Sequence, residues 1–264
     1  MNYQIKLSRP KTIIDETLLL ANVGWQLNQI PTADVELMPG IKWGCYGELF
    51  TPAYWKAQYL LYNYKEEFGI NYKLGDNIYE EVIACLLGGF GLKSEIGLAA
   101  FIRLKERGLI RHGIEPSQIL SSLKEPFLVN SKKVHYRFPN QKGKYISEFL
   151  NRSDLSQIPI DDDIALRNWL LSTNGIGPKT AAWITRNYLS SEKVAIIDIH
   201  IYRACKLMGL YSQYYDIQKD YVKLEEIFLQ FCEELEVKPS KMDALIWLQM
   251  KISNRNVLKI INNI

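Results

Sequence analysis

Lys179 and Asp198 are the residues of this chain best placed to do chemistry, because of what surrounds each of them. Lys179 follows Asn174-Gly175-Ile176-Gly177-Pro178, a Gly-x-Gly turn between two helical patterns. Gly175 and Gly177 allow positive φ and let a ligand come close to the backbone. Pro178 suits the first turn of the next helix, whose free N–H groups and positive dipole end would face an anion. A lysine in that first turn opposes the dipole by about 0.3–1 kcal/mol, which makes a purely decorative role less natural. Partial desolvation beside other cations would free its amine as a nucleophile. Downstream, Val194-Ala195-Ile196-Ile197 is an apolar run that would carry Asp198 out of the core to a helix start. Asp198 reads equally as an N-cap and as a carboxylate that stabilises positive charge, and one oxygen can cap without excluding the second role. A phosphate cradle, an amine and a carboxylate are the parts needed to cut a base from its sugar. The plain alternative is a tight turn between packed helices. Gly-x-Gly alone is weak, and the lysine and aspartate supply its specificity.

The elements that must hold these residues read as helices. Leu170, Leu171 and Ile176 are spaced to pack beneath the turn. Helical spacing and end signals predict helices over Pro52–Phe68, a helix capped by Asp76 and ending at Gly88-Gly89, and one capped by Ser94 running from Glu95 to Arg107. Further helices are predicted over Pro116–Leu123, Lys142–Leu150, Asp161–Leu171, Pro178–Leu189, Asp198–Met208, Gln218–Leu235 and Pro239–Ile252. Short strands are expected between Val35 and Tyr46. Trp183 lies one turn after Lys179 on the same side, as a stacking surface or as a core residue.

Composition sets the outer limits. With 264 residues and 47% hydrophobic content the chain can bury a sizeable core. A net charge of +3 does not by itself indicate a nucleic-acid partner, so any such affinity must be local. The stretch from Lys124 to Arg152 carries seven Lys or Arg against two Glu, a solvated face or a DNA contact. No apolar run reaches the length of a membrane span, and the first residues lack the features of a secretory signal, so an intracellular protein is expected. Cys45, Cys85, Cys205 and Cys232 form no Cys-x-x-Cys pair and are expected to be buried, reduced thiols rather than zinc or cluster ligands.

Gly175-Ile176-Gly177-Pro178-Lys179-Thr180-Ala181-Ala182 and Val194 through Arg203 resemble the signature of the helix-hairpin-helix DNA glycosylases, and the lysine resembles the mark of their bifunctional glycosylase/lyase branch. Tyr136-Arg137-Phe138-Pro139-Asn140-Gln141-Lys142-Gly143-Lys144-Tyr145-Ile146 is similar to a segment of 8-oxoguanine DNA glycosylases of the second, mainly archaeal, type. Met242-Asp243-Ala244-Leu245-Ile246-Trp247 resembles that branch's C-terminal helix. The chain departs from the family at Gly88, Gly89 and Phe90, where relatives often carry Asn or Gln, and in lacking the C-terminal lysine that some second-type enzymes use in base recognition.

The resemblance implies an all-α fold, two helical subdomains flanking a DNA-binding cleft with a helix-hairpin-helix motif, and short strands near the N-terminus. It implies a glycosylase domain over residues 76–264; residues 1–75 have no counterpart in the family pattern and are expected to pack on the C-terminal helices. The activity implied is excision of an oxidised purine, 8-oxoguanine first, from double-stranded DNA by a monomeric protein found in the cytoplasm at the nucleoid. Lys179 would attack the sugar and form a Schiff base, and Asp198 would stabilise the charge on the sugar. Gly175, Ile176, Gly177, His200, Arg203, Arg137 and Lys142 would contact DNA. Phe90, Trp183, Asp243, Trp247 and Gln249 would form the base pocket or the wedge that fills the duplex; Phe90 reads equally as a buried aromatic. No catalytic metal or diffusible cofactor is implied, and the family's hairpin often holds a structural monovalent cation. A glycosylase for another modified base, a monofunctional enzyme using water activated by Asp198, and a non-catalytic helix-hairpin-helix DNA-binding protein are the alternatives. The last would need neither Lys179 nor Asp198.

Overall fold

The computed structural model describes residues 22–63, 73–89 and 91–253. These fall into two compact bodies, one formed by 73–191 and the other by 22–63 together with 192–253. The chain is mostly helical, as its periodicity predicts, with two small antiparallel sheets.

In the first body α2 (Ile78–Leu87) is buried along most of its surface, with Val82, Ile83, Leu86 and Leu87 at its centre. Such a helix is the core about which others pack. Around it lie α3 (Ser94–Glu106), α4 (Pro116–Lys124), α5 (Pro139–Leu150), α6 (Asp163–Leu171) and α7 (Pro178–Leu189). They contribute Leu104, Ile119, Leu123, Ile146, Phe149, Leu166, Leu170 and Ile184 to one core. Glu81 is fully buried in α2 because its Oε2 accepts the N–H groups of Leu74 and Gly75 at 2.7 and 2.9 Å. Burial pushes that carboxyl up from its ordinary range.

Several helix starts differ from the sequence expectation. Asn77, not Asp76, caps α2: its φ of −140° is extended and its Oδ1 accepts the Glu80 N–H at 3.1 Å. Asp76 instead pairs with Lys105 at 2.6 Å. Ser94 is the first residue of α3 and Lys93 precedes it without a side-chain cap. α5 begins at Pro139, which needs no N–H there, rather than at Lys142. α6 begins at Asp163 behind the capping Asp162. A hairpin of β3 (Phe127–Val129) and β4 (Lys132–Val134) was not expected; Asn130 and Ser131 both take positive φ at its turn, as a two-residue hairpin requires.

The second body holds β1 (Glu36–Met38), β2 (Ile41–Lys42), α1 (Pro52–Asn63), α8 (Ile199–Leu207), α9 (Tyr221–Glu234) and α10 (Pro239–Ile252). The strands lie in the expected stretch. The part of the expected α1 over 64–68 lies outside the described residues. α9 starts at Tyr221 because Asp216 Oδ1 takes the N–H groups of Gln218 and Lys219 into a turn. Trp55, Leu224, Phe228, Phe231, Leu245, Ile246 and Met250 fill this core. All four cysteines are free. Cys205 and Cys232 are buried, but Cys45 is exposed in the loop after β2, against expectation. Among the described residues no helix is long and apolar enough to cross a membrane.

Beyond the end of α5, Arg152 meets Asp154 with two hydrogen bonds of 2.8 and 2.7 Å and lies 4.0 Å over the Trp169 ring. The Arg152 guanidinium holds the Asp154 carboxyl down to about 2 from an ordinary 3.8. A carboxyl depressed on folding contributes stability that is complete above its unfolded pKa and lost as pH falls through the folded one.

Two outcomes follow for urea unfolding. Asn77→Ala should lose about 1 kcal/mol, the usual worth of a cap, while Asp76→Ala stays close to wild type because exposed ion pairs contribute little. Equal losses would reject Asn77 as the cap. The stability gap between wild type and Asp154→Asn should be full above about pH 4 and close as pH falls toward about 2. A gap that does not change with pH would show that the ion pair is not its source.

Candidate active site

Lys179 lies in the first body and Asp198 in the second. In the first, α6 ends at Leu171 and the chain turns through 172–177 into α7. Only Thr173 and Ile176 of the turn are buried, and the Ile176 N–H reaches the Thr173 carbonyl at 3.1 Å. Ile176 anchors the turn in the core, as its spacing predicts.

The two glycines have different reasons to be glycine. Gly175 has φ +87°, and a Cβ there would lie 2.3 Å from the Tyr145 ring. Gly177 has φ −96°, open to any residue, and a Cβ there would meet nothing within 4 Å. Nothing inside the protein requires glycine at 177, which leaves backbone approach from outside as its use. Gly177 is also the N-cap of α7 and offers no side chain, so the first N–H groups of the helix remain free for an anion.

Lys179 is exposed, and its amine has no hydrogen-bond or ion-pair partner among the described residues. The partial desolvation expected for it does not come from the described residues. Trp183 is half-buried one turn further along.

Arg137 and Lys142 gather at the end of α2. Tyr136 is buried there and its hydroxyl donates to the Leu87 carbonyl at 2.7 Å. Arg137 donates to the Gly91 carbonyl at 3.2 Å, and Lys142 Nζ lies 3.9 Å from where a Gly89 Cβ would be. Lys142 is half-buried, and burial lowers its pKa. Phe90 lies outside the described residues.

In the second body Val194–Asp198 is buried but belongs to no helix or strand, and its one local backbone bond runs from the Asp198 N–H to the Ile196 carbonyl at 3.1 Å. Side chains take the place of a ladder. The Ala195 N–H goes to Glu225 Oε1 at 3.0 Å and the Ile196 N–H to Asp243 Oδ2 at 3.1 Å. The Tyr221 hydroxyl accepts from Ile197 and donates to the Ala195 carbonyl. This frame delivers Asp198 to the start of α8, where Oδ1 accepts the N–H groups of His200 and Ile201 at 2.7 and 3.0 Å. Asp198 is thus an N-cap, with Oδ2 uncommitted to the helix. His200 and Arg203 follow on α8, both half-buried.

Two residues expected in the base pocket are engaged elsewhere. Asp243 is buried and holds the Val194–Asp198 run. Gln249 accepts from the Tyr54 hydroxyl and donates to Gln58 Oε1, both at 2.8 Å, which ties α10 to α1. Trp247 is half-buried beneath the Lys251 amine at 4.3 Å. Sequence reasoning missed Tyr145, Tyr221 and Glu225. The latter two lie at helical spacing on α9, the one available signal. Among the described residues no group of three or more His, Cys, Asp or Glu is placed to hold a metal ion.

The sequence matches the 8-oxoguanine DNA glycosylase family over residues 62–237. It is 30% identical over 195 residues to an 8-oxoguanine DNA glycosylase/AP lyase of Metallosphaera sedula, covering 69% of this chain and 86% of that one. The protein of that name from Methanocaldococcus jannaschii is 31% identical over 126 residues, 44% of this chain and 58% of its own. The crystal structure of the M. jannaschii 8-oxoguanine DNA glycosylase shares the fold, with a TM-score of 0.54 and 22% identity over 74% of this chain and 92% of that one. The chain belongs to the 8-oxoguanine DNA glycosylase family.

Proposed function

We propose that this protein is a bifunctional DNA glycosylase and AP lyase that flips 8-oxoguanine out of double-stranded DNA and releases it through an imine on Lys179. The observation that carries the reading is an exposed amine, without a partner among the described residues, in the first turn of a helix that has no side-chain cap. The first N–H groups of that helix and the open face at Gly177 receive a backbone phosphate. The chain's own family membership supplies the substrate class.

A base in the duplex is out of reach, so it is extruded at a cost of a few kcal/mol. The neutral Lys179 amine attacks C1′, and the glycosidic bond breaks with its electron pair going to the base, which takes up a proton. The Asp198 carboxylate stabilises the positive charge on the sugar as that bond lengthens. Opening of the sugar ring gives the Lys179 imine. Loss of a proton from C2′ then expels the 3′ phosphate and nicks the strand. Bound DNA desolvates the exposed Lys179. His200, Arg203, Arg137 and Lys142 hold phosphates, and Trp183 and Trp247 offer π surfaces to the flipped base, where stacking is worth about 1–3 kcal/mol. The carbonyls of Gly175 and Ile176 accept no backbone N–H among the described residues. These two carbonyls would hold a monovalent cation, whose charge would favour an anion at the hairpin.

Borohydride trapping tests the reading on duplexes carrying 8-oxoguanine, thymine glycol, uracil or undamaged guanine. Wild type should be captured covalently on the 8-oxoguanine duplex above the others, and Lys179→Gln on none, while Lys179→Gln still binds lesion DNA. A trappable Lys179→Gln protein would reject the nucleophile, and preference for thymine glycol or uracil would reject the substrate.

Asp198→Asn should slow base release by about 10²-fold or more in single-turnover assays, since one lost electrostatic stabiliser costs about 2.7–4 kcal/mol. Asparagine keeps an oxygen for the cap, so circular dichroism should be unchanged. A folded variant with near-normal rates would reduce Asp198 to its capping role.

A further inference from the structure

The hairpin has little to hold itself in shape. It contains one left-handed glycine and one short-range backbone bond, and most of its residues are exposed. Ile176 anchors it in the core and Ser172 and Thr173 bond back to the end of α6; the other side-chain restraints come from α5 and the residues just beyond. Tyr145 lays its ring against Gly175 so closely that a Cβ would lie 2.3 Å from it. One turn on, Glu148 Oε2 accepts from the Asn174 side-chain amide at 3.0 Å. One further turn on, Arg152 donates to Thr173 Oγ1 and Ser172 Oγ, both at 3.0 Å. Tyr145 and Glu148 share a face of α5 at helical spacing, Arg152 follows just past the end of that helix, and the three meet 175, 174 and 172–173 in reverse order. Each is itself steadied: Gln141 donates to the Tyr145 hydroxyl at 3.2 Å, Lys144 lies 3.7 Å from Glu148, and Asp154 grips Arg152.

We infer that Tyr145, Glu148 and Arg152 form a three-point clasp that positions the hairpin, and through it the free N–H groups of α7 and the Lys179 amine. They are positioning residues and touch no reacting atom. The clasp explains why the Lys142–Ile146 stretch and the hairpin belong to one device although they are distant in sequence. It also predicts how the device fails. Loosening the hairpin by about an ångström should cost rate more than fold, because displacement of that order is worth up to about 10²-fold in a positioned reaction.

The rate arm of the test rests on the imine reading proposed above; the exchange arm does not. An abasic-site duplex, which needs no base recognition, is trapped with borohydride at saturating protein, and amide hydrogen exchange is followed at Ile176 in the hairpin and Val82 in the core. Tyr145→Ala should trap about 10- to 100-fold more slowly, with faster exchange at Ile176 and unchanged exchange at Val82. Tyr145→Phe, which keeps the ring, should restore both. Glu148→Ala and Asn174→Ala should each slow trapping, and the double variant should be no slower than either alone, as expected of partners in one contact. That surface pair decides the matter if Tyr145→Ala does not fold. A folded Tyr145→Ala with wild-type trapping and a protected Ile176 amide, or additive losses in the pair, would overturn the clasp. Wild-type protein that is never trapped would instead overturn the imine reading, and the exchange comparison would still decide the clasp.

Discussion

A buried backbone N–H must find an acceptor, and the run Ala195–Ile197 has to do so without a sheet. Glu225, Asp243 and Tyr221 each meet one N–H of that run. The arrangement fixes much of the second body. It requires α9 and α10 to present polar side chains from otherwise apolar faces at matched heights. It makes two buried acids structural, since an orphaned N–H costs about 1–3 kcal/mol. Its outcome is the place where the run stops and α8 starts, which is Asp198. Capping and charge stabilisation are therefore compatible: Oδ1 is held by the helix and the carboxylate is aimed by the frame behind it.

The first body meets the opposite problem, a segment with too few internal restraints. Its hairpin is exposed, glycine-rich and without a side-chain cap at the start of α7. Rigidity is supplied from the side by α5, leaving the ligand-facing edge bare. Gly175 and Gly177 show the division within three residues. One must be glycine because of its positive φ and the Tyr145 ring, while the other faces open space among the described residues.

Much of this is legible in the sequence, for identifiable reasons. Gly-x-Gly-Pro-Lys and an aspartate after an apolar run are local patterns, and local patterns set turns and helix starts. Helix bodies follow from apolar spacing. Errors gather where the deciding fact is not local. Asp76 and Asn77 are both good caps, and the choice depends on which residue has extended φ once Lys105 has claimed the other. Asp243 and Gln249 look like polar groups awaiting a base, but their partners Ile196, Tyr54 and Gln58 come from remote parts of the chain. The β3–β4 turn rests on Asn130 and Ser131, a pair that marks a left-handed turn less plainly than Asn-Gly does.

The second body is assembled from both ends of the chain, while the first is a single continuous stretch. During synthesis the stretch over 73–191 emerges whole and can collapse on its own core while translation continues. The earlier stretch cannot. Trp55 and Ala53 of α1, both without solvent exposure in the finished protein, have no α10 to cover them until the last helix has left the ribosome. α1 is made before the first body and covered after it, and through that interval it presents an apolar, aromatic face to whatever is nearby. A ribosome stalled between the two halves of the second body would therefore release a finished first body joined to an uncovered α1.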